Sequence, residues 1–119
     1  MFAVDGYTIS LSRGDTGAIK VNTQTDYTFA SNDRALFAIK NSLGETVREE
    51  LHEIEEDKSF IINFTNPDTD TLPFGTYAWD VRYVINPHYD AAGKLVDGDQ
   101  VITPKLPMEL LLLNVVGEV

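Results

Sequence analysis

Leu72-Pro73-Phe74-Gly75-Thr76-Tyr77-Ala78-Trp79-Asp80-Val81-Arg82-Tyr83 is the stretch on which the fold turns. From Thr76 onward it alternates, with Tyr77, Trp79, Val81 and Tyr83 on one side of an extended chain and Ala78, Asp80 and Arg82 on the other. A period of two marks a strand with one buried face. Just upstream, Asn66-Pro67 reads as an asparagine cap with proline at the first helical position, which predicts one short helical turn near 67–72. A helical turn passing through Gly75 into a tyrosine at a strand start is the layout of a tyrosine corner. There the phenol bonds back to upstream backbone and locks the crossover between two sheets. Two residues on, where antibody domains carry cysteine, this chain has Trp79, whose ring can fill the same inter-sheet space.

The pattern repeats on both sides of this stretch. Tyr7, Ile9 and Leu11 alternate with Thr8, Ser10 and Ser12, and the turn Arg13-Gly14-Asp15-Thr16-Gly17 follows. Ile19 and Val21 share one face of the next strand, and Tyr27 and Phe29 tuck a loop onto the core. Ala35 to Lys40 is apolar on both faces, which suits a central strand. Asn41-Ser42-Leu43-Gly44 reads as a hairpin turn, and Phe60, Ile62 and Phe64 alternate again. Glu45 to Asp57 fits two templates: Leu43, Val47, Leu51 and Ile54 have helical spacing, whereas the preceding turn and flanking strands favour a strand. The strand is the reading adopted, with Val47 and Leu51 facing inward and Glu49 between them. Asn86-Pro87 should end the strand that starts at Thr76. Turn signals at Asp90-Ala91-Ala92-Gly93 and Asp97-Gly98 place a long hairpin over 87–104, and a last strand lies within Met108 to Val116. The prediction is all-β: a single domain over 1–119, an Ig-like antiparallel β-sandwich of about seven strands. Antiparallel pairing is expected because parallel neighbours need crossover helices, which the pattern does not supply.

Composition narrows the partners. With 119 residues, enough of the surface (about two-thirds) can be buried to build a core without staples. The absence of cysteine excludes disulfides, thiolate metal sites and a cysteine nucleophile. A net charge of −10 repels phosphate backbones and anionic headgroups, so neither nucleic acid nor membrane is an expected partner. Met1 to Gly6 lacks the basic start and apolar run of a secretory signal, and Leu110 to Leu113 is far short of the ~20 apolar residues that span a bilayer.

Each motif has a structural and a functional reading. Arg13-Gly14-Asp15 matches an adhesion tripeptide, but a turn in which Asp15 bonds backbone N–H groups accounts for it. The run Glu49, Glu50, Glu53, Glu55, Glu56, Asp57 reads as a solvated face, within which Glu50 and Glu53 are candidates to steer a basic partner. The ordered acidic loop of a calcium site is missing, and His52 and His88 alone make a poor zinc set. They are also the only obvious general bases, and no nucleophile elbow or phosphate-cradling loop accompanies them. The expectation is no enzyme, no catalytic residue, no metal and no cofactor. Leu110 to Leu113 makes both faces of the last strand apolar, so Leu111 and Leu113 are candidates to dock a neighbour unless the 87–104 hairpin covers them. A rival reading is a sugar- or peptide-binding module using Phe74, Tyr83 or Tyr89 as exposed aromatics.

Three blocks carry a family resemblance: Arg13-Gly14-Asp15-Thr16 after the first strand, Phe37 to Lys40, and Asp68 to Tyr77 in the form Asp-x-x-x-Leu-Pro-x-Gly-x-Tyr. In these the chain resembles Ig-like proteins of tailed phages and prophages of Gram-positive bacteria, in particular N-terminal domains of baseplate upper proteins. The resemblance implies a non-enzymatic structural part of a tail or baseplate. Its partners would be other phage structural proteins and further copies of itself, met in the host cytoplasm during assembly and then in the virion. The chain departs from that pattern in its longer 87–104 hairpin and in lacking a receptor-binding head after the domain, which points to an adaptor or decoration. The same resemblance supports the turn reading of Arg13 to Asp15.

Overall fold

The computed structural model describes residues 2–22, 26–103 and, as backbone, 112–116. The elements are β1 (Phe2–Asp5), β2 (Thr8–Ser12), β3 (Gly17–Asn22), β4 (Arg34–Lys40), β5 (Thr46–Glu53), β6 (Ser59–Phe64), α1 (Asn66–Asp70), β7 (Gly75–Tyr89), β8 (Leu95–Ile102) and β9 (Leu112–Val116). They form an all-β, two-sheet sandwich. The large sheet runs β1-β2-β9-β7-β4-β5, with β8 also paired to β7, and the small one is the hairpin-like pair β3-β6. Among the described residues the strand count is nine where the sequence suggested about seven, the additions being β1 and a β8 that pairs along its whole length.

The alternating residues meet between the sheets. Ile9, Leu11, Phe37, Ile39, Tyr77, Trp79, Val81 and Tyr83 from the large sheet pack on Ile19, Val21, Phe60, Ile62 and Phe64 from the small one. Tyr83 and Phe37 are fully buried, so burial of the β7 aromatic row follows its period of two. β4 lies between β5 and β7, which explains why it is apolar on both faces. The Asn41–Glu45 turn closes the β4–β5 hairpin, with Asn41 Oδ1 accepting from the N–H groups of Leu43 and Glu45. The segment of ambiguous pattern is a strand over Thr46–Glu53.

Three details depart from the sequence reading. Antiparallel pairing holds for β1–β2, β3–β6, β4–β5, β4–β7, β7–β8 and β7–β9, but β2 and β9 run parallel, with Ile9 opposite Leu113 and Leu11 opposite Val115. No crossover helix is needed because the intervening strands themselves form the connection. The strand through Tyr83 does not stop at Asn86-Pro87 but continues to Tyr89, and Asp97-Gly98 lies inside β8 rather than in a turn. Proline is tolerated here because it sits beside a kink, Asn86 at φ 47°. Finally, the cap of α1 is Thr65, whose N–H and hydroxyl both donate to Asp68 Oδ2 at 2.8 Å. Asn66, read as the cap, instead donates to Gly14 O at 2.8 Å.

Candidate functional site

Three groupings bring chemistry-bearing side chains together. The first lies on β5. Opposite partners in a sheet share a face, so the rows Trp79–Ile39–Arg48, Val81–Phe37–Glu50 and Tyr83–Ala35–His52 all point toward the small sheet. Arg48, Glu50 and His52 therefore face inward. Val47, expected inside, is exposed, and Leu51 is only half-buried on the opposite face. The reason lies at the open side of the sandwich, where among the described residues β5 is the last strand of the large sheet and β6 pairs only with β3. Arg48 closes this gap. Its guanidinium lies 4.9 Å from the Phe64 ring centroid and 5.6 Å from that of Phe37. It donates to Asn63 O on the free edge of β6 at 2.7 Å and to both Glu50 oxygens at 2.8 and 3.2 Å. His52 stacks on Phe60 and bonds Glu50 Oε1 at 2.8 Å.

A cleft of ≈ 270 Å³ beside Arg48 is walled by Val47, Glu50, Phe64, Asp68 and Leu72. Arg48 Nη1 is buried without a hydrogen bond and lies 3.9 Å from Asp68 Oδ2. Burial pushes the Asp68 carboxyl up, but the Thr65 N–H, the Thr65 hydroxyl and the Arg48 charge together hold it below the ordinary aspartate value. Among the described residues, the hydrogen bond of His52 goes to a carboxylate rather than to a hydroxyl, so the pair lacks the nucleophile that a histidine base would activate. Glu50, expected to stand with Glu53 on an outward acidic face, is thus engaged inward. Glu53 does point outward, with its side chain 83% exposed and 3.9 Å from Arg34.

The second grouping is the tyrosine corner, which draws in Gly75, Tyr77, Trp79 and Asp15. Tyr77 Oη donates to Pro73 O at 2.6 Å, and burial raises the phenol above its ordinary value. Gly75 makes the entry at φ 156°, backbone that a side chain would strain. Trp79 Nε1 donates to Tyr7 O at 3.1 Å, tying β7 to the β1–β2 turn. The Arg13–Asp15 turn docks onto the same corner. Asp15 Oδ2 accepts from Ser12 N, Thr69 Oγ1 donates to Asp15 O at 2.7 Å, and Arg13 donates to Asp70 O at 2.7 Å while lying over Phe74. The tripeptide is committed to the fold.

The third grouping is the arm formed by the ends of β7 and β8. Val84 points away from the core yet is 3% exposed, because Gly98 packs on it. A Cβ at Gly98 would lie 2.5 Å from Val84 Cγ1 and 2.9 Å from Ile85 O, so only glycine permits this approach. The arm thereby turns back over the outer face of the large sheet, leaving a cleft of ≈ 260 Å³ between Leu36 and Leu51 below and Lys94 and Leu95 above. Its base is held by Asp33, a buried carboxylate that accepts from Asn86 N at 2.9 Å and Ala30 N at 2.7 Å.

The aromatics named for ligand binding do not form a row. Tyr83 is in the core, while the exposed Phe74 and Tyr89 stand at opposite ends of β7. Leu113 stands in register between Ile9 and Tyr77, on β9, which is paired on one side by β2 and on the other by β7 and so is an interior strand of the sheet. Leu111 lies outside the described residues. Among the described residues no helix is long and apolar enough to cross a membrane, and no three histidine or acidic side chains are placed to hold a metal ion. Comparison with family models, with curated proteins and with solved structures finds no match to this chain.

Proposed function

We propose that the chain is a non-enzymatic assembly component of a phage or prophage tail or baseplate, acting through protein–protein surfaces. The observation that carries the non-enzymatic part is the commitment of its reactive side chains. Arg48, Glu50 and His52 close the side of the sandwich, and Arg13 and Asp15 anchor the tyrosine corner. What remains outward is surface: exposed Tyr89, Val96 and Val101 along the arm and the acidic Glu53 beside it in the large sheet. The tail attribution rests on the three sequence blocks. Two of them, Arg13 to Thr16 and Asp68 to Tyr77, are bonded to each other in one corner, which supports reading them as a single inherited unit.

In this reading the partners are other structural proteins of the particle and further copies of the chain, met in the host cytoplasm and retained in the virion. Leu111 would bury apolar area against a neighbour, and Glu53 would speed encounter with a basic one. Light-scattering mass supplies the first test. A stable oligomer is expected, and Leu111→Asp should dissociate it while leaving the β-type circular dichroism intact, whereas Leu113→Asp, in register between Ile9 and Tyr77, should cost the fold itself. Loss of folding in Leu111→Asp as well would place that side chain in the core instead. The second test is sedimentation of particles from the encoding strain. Recovery of the chain only in the particle-free fraction would overturn the attribution.

A further inference from the structure

We propose that His88 is a proton-operated latch that holds β8 against β7 within the arm. Its Nδ1 lies 2.6 Å from Asp97 Oδ1 and its Nε2 lies 3.0 Å from Asp99 Oδ1. A carboxylate only accepts and a neutral imidazole has a single N–H, so the Nδ1 hydrogen bond to Asp97 and the attraction of Nε2 to Asp99 hold together only when the ring is an imidazolium. Losing the proton leaves a ring lone pair facing one of the two carboxylates, and a bond becomes a repulsion.

The contact matters because of where it sits. Asp99 also accepts from Asn86 Nδ2 at 2.8 Å, and Asn86 Oδ1 accepts from Asn32 Nδ2 at 2.7 Å. The kink at Asn86, with φ 47°, is therefore spanned by a chain of bonds from the loop before β4, through Asn86 and Asp99, to His88 and Asp97 near the arm's far end. Among the described residues, the charged groups in contact with His88 are Asp97 and Asp99, both from β8. Asn86 and Asn32, the next groups along, are neutral, and Asp33 is turned to backbone N–H groups. Nothing cationic in this chain of contacts substitutes for the imidazolium. The sign follows: the latch is closed on the acid side, where the ring is charged, and opens as pH rises and the proton leaves.

The test is hydrogen exchange by NMR on the full chain, comparing amide protection at pH 5 and pH 8 after correction for intrinsic exchange. For so exposed a cluster, the arm amides from His88 to Gln100 should lose protection by about two- to fivefold on going to pH 8, while β4 and β6 do not. His88→Gln should abolish the pH difference, and Asp99→Asn should shrink it. His52→Gln, which removes the other histidine, should leave it intact. Equal arm protection at both pH values in the unaltered chain, or the same difference persisting in His88→Gln, would overturn the proposal.

Discussion

Replacing Arg48 by methionine tests whether the inward polar row on β5 is structural. Methionine keeps an apolar stem over Phe37 and Phe64 but removes the guanidinium, with its bond to Asn63 O and its paired bonds to Glu50. A hydrogen bond to a charged group contributes about 1.5–3 kcal/mol when buried and much less when wet. The Arg48 side chain is 18% exposed and that of Glu50 31%, so the lower part of that range applies. The two ring contacts, at 4.9 and 5.6 Å, add about 0.5–1 kcal/mol each. Against this stands the desolvation cost of the guanidinium, which methionine does not incur. The expected net loss is about 2 kcal/mol for Arg48→Met. For Arg48→Ala it is about 3, because alanine also uncovers the two rings. Urea denaturation followed by Trp79 fluorescence measures both, and at roughly 4 °C per kcal/mol the methionine variant should melt about 8 °C lower. Arg48→Lys should fall between wild type and methionine, since a point charge cannot span Glu50 and Asn63 O together. An Arg48→Met variant within about 0.5 kcal/mol of wild type, the ordinary range for a surface substitution, would show that the row is incidental.

Tyr77→Phe removes the bond to Pro73 O and should cost about 1 kcal/mol in the same denaturation assay, with the circular dichroism spectrum unchanged. Gly98→Ala should cost about 1–3 kcal/mol, and less in a Val84→Ala background, because part of the collision is with Val84 Cγ1; strict additivity of the two would refute that contact. The Asp57 carboxyl is held below its ordinary value by the Ser59 hydroxyl and then by Lys20, as Asp68 is by Thr65 and Arg48 against the opposing effect of burial. Both folded values lie below the unfolded ones. Their stabilisation is therefore complete above the ordinary aspartate range and is lost as pH falls through the lowered values. Asp68→Asn should flatten the acid limb of a stability–pH profile. Tyr77 has the opposite sense: burial raises its folded value, so its contribution is complete below about 10 and lost as pH climbs beyond that.

Much of this architecture is legible in the chain because burial is periodic. Tyr77 to Tyr83, Phe60 to Phe64 and Ile19 with Val21 each have one side facing the opposing sheet, and their alternation says so directly. The tyrosine corner is legible for a local reason: helix, glycine and phenol lie within a few residues of one another. β5 misleads because hydropathy assigns Val47 and Leu51 inward and Arg48, Glu50 and His52 outward. The guanidinium and the imidazole ring are flat and the arginine stem is apolar, so at the rim of a sheet they can cover Phe37, Phe60 and Phe64 while Arg48 bonds Asn63 O and both side chains bond Glu50. Residues 86–89 mislead because proline reads as a terminator, whereas here the strand survives past a left-handed asparagine held by Asp33, fifty-three positions away in sequence. The parallel contact of β2 with β9 joins distant segments, and no local pattern encodes it.

The place of β9 between β2 and β7 bears on how the polypeptide is made. Synthesis runs from the N-terminus, so every other described strand leaves the ribosome before Leu112 does. Until then the nascent sheet has a strand-wide vacancy, with two rows of backbone amides and carbonyls turned toward an empty lane. Filling that lane is the last step that can complete the sheet, and a mutation that delays it prolongs the interval in which a second nascent molecule can insert its own strand there.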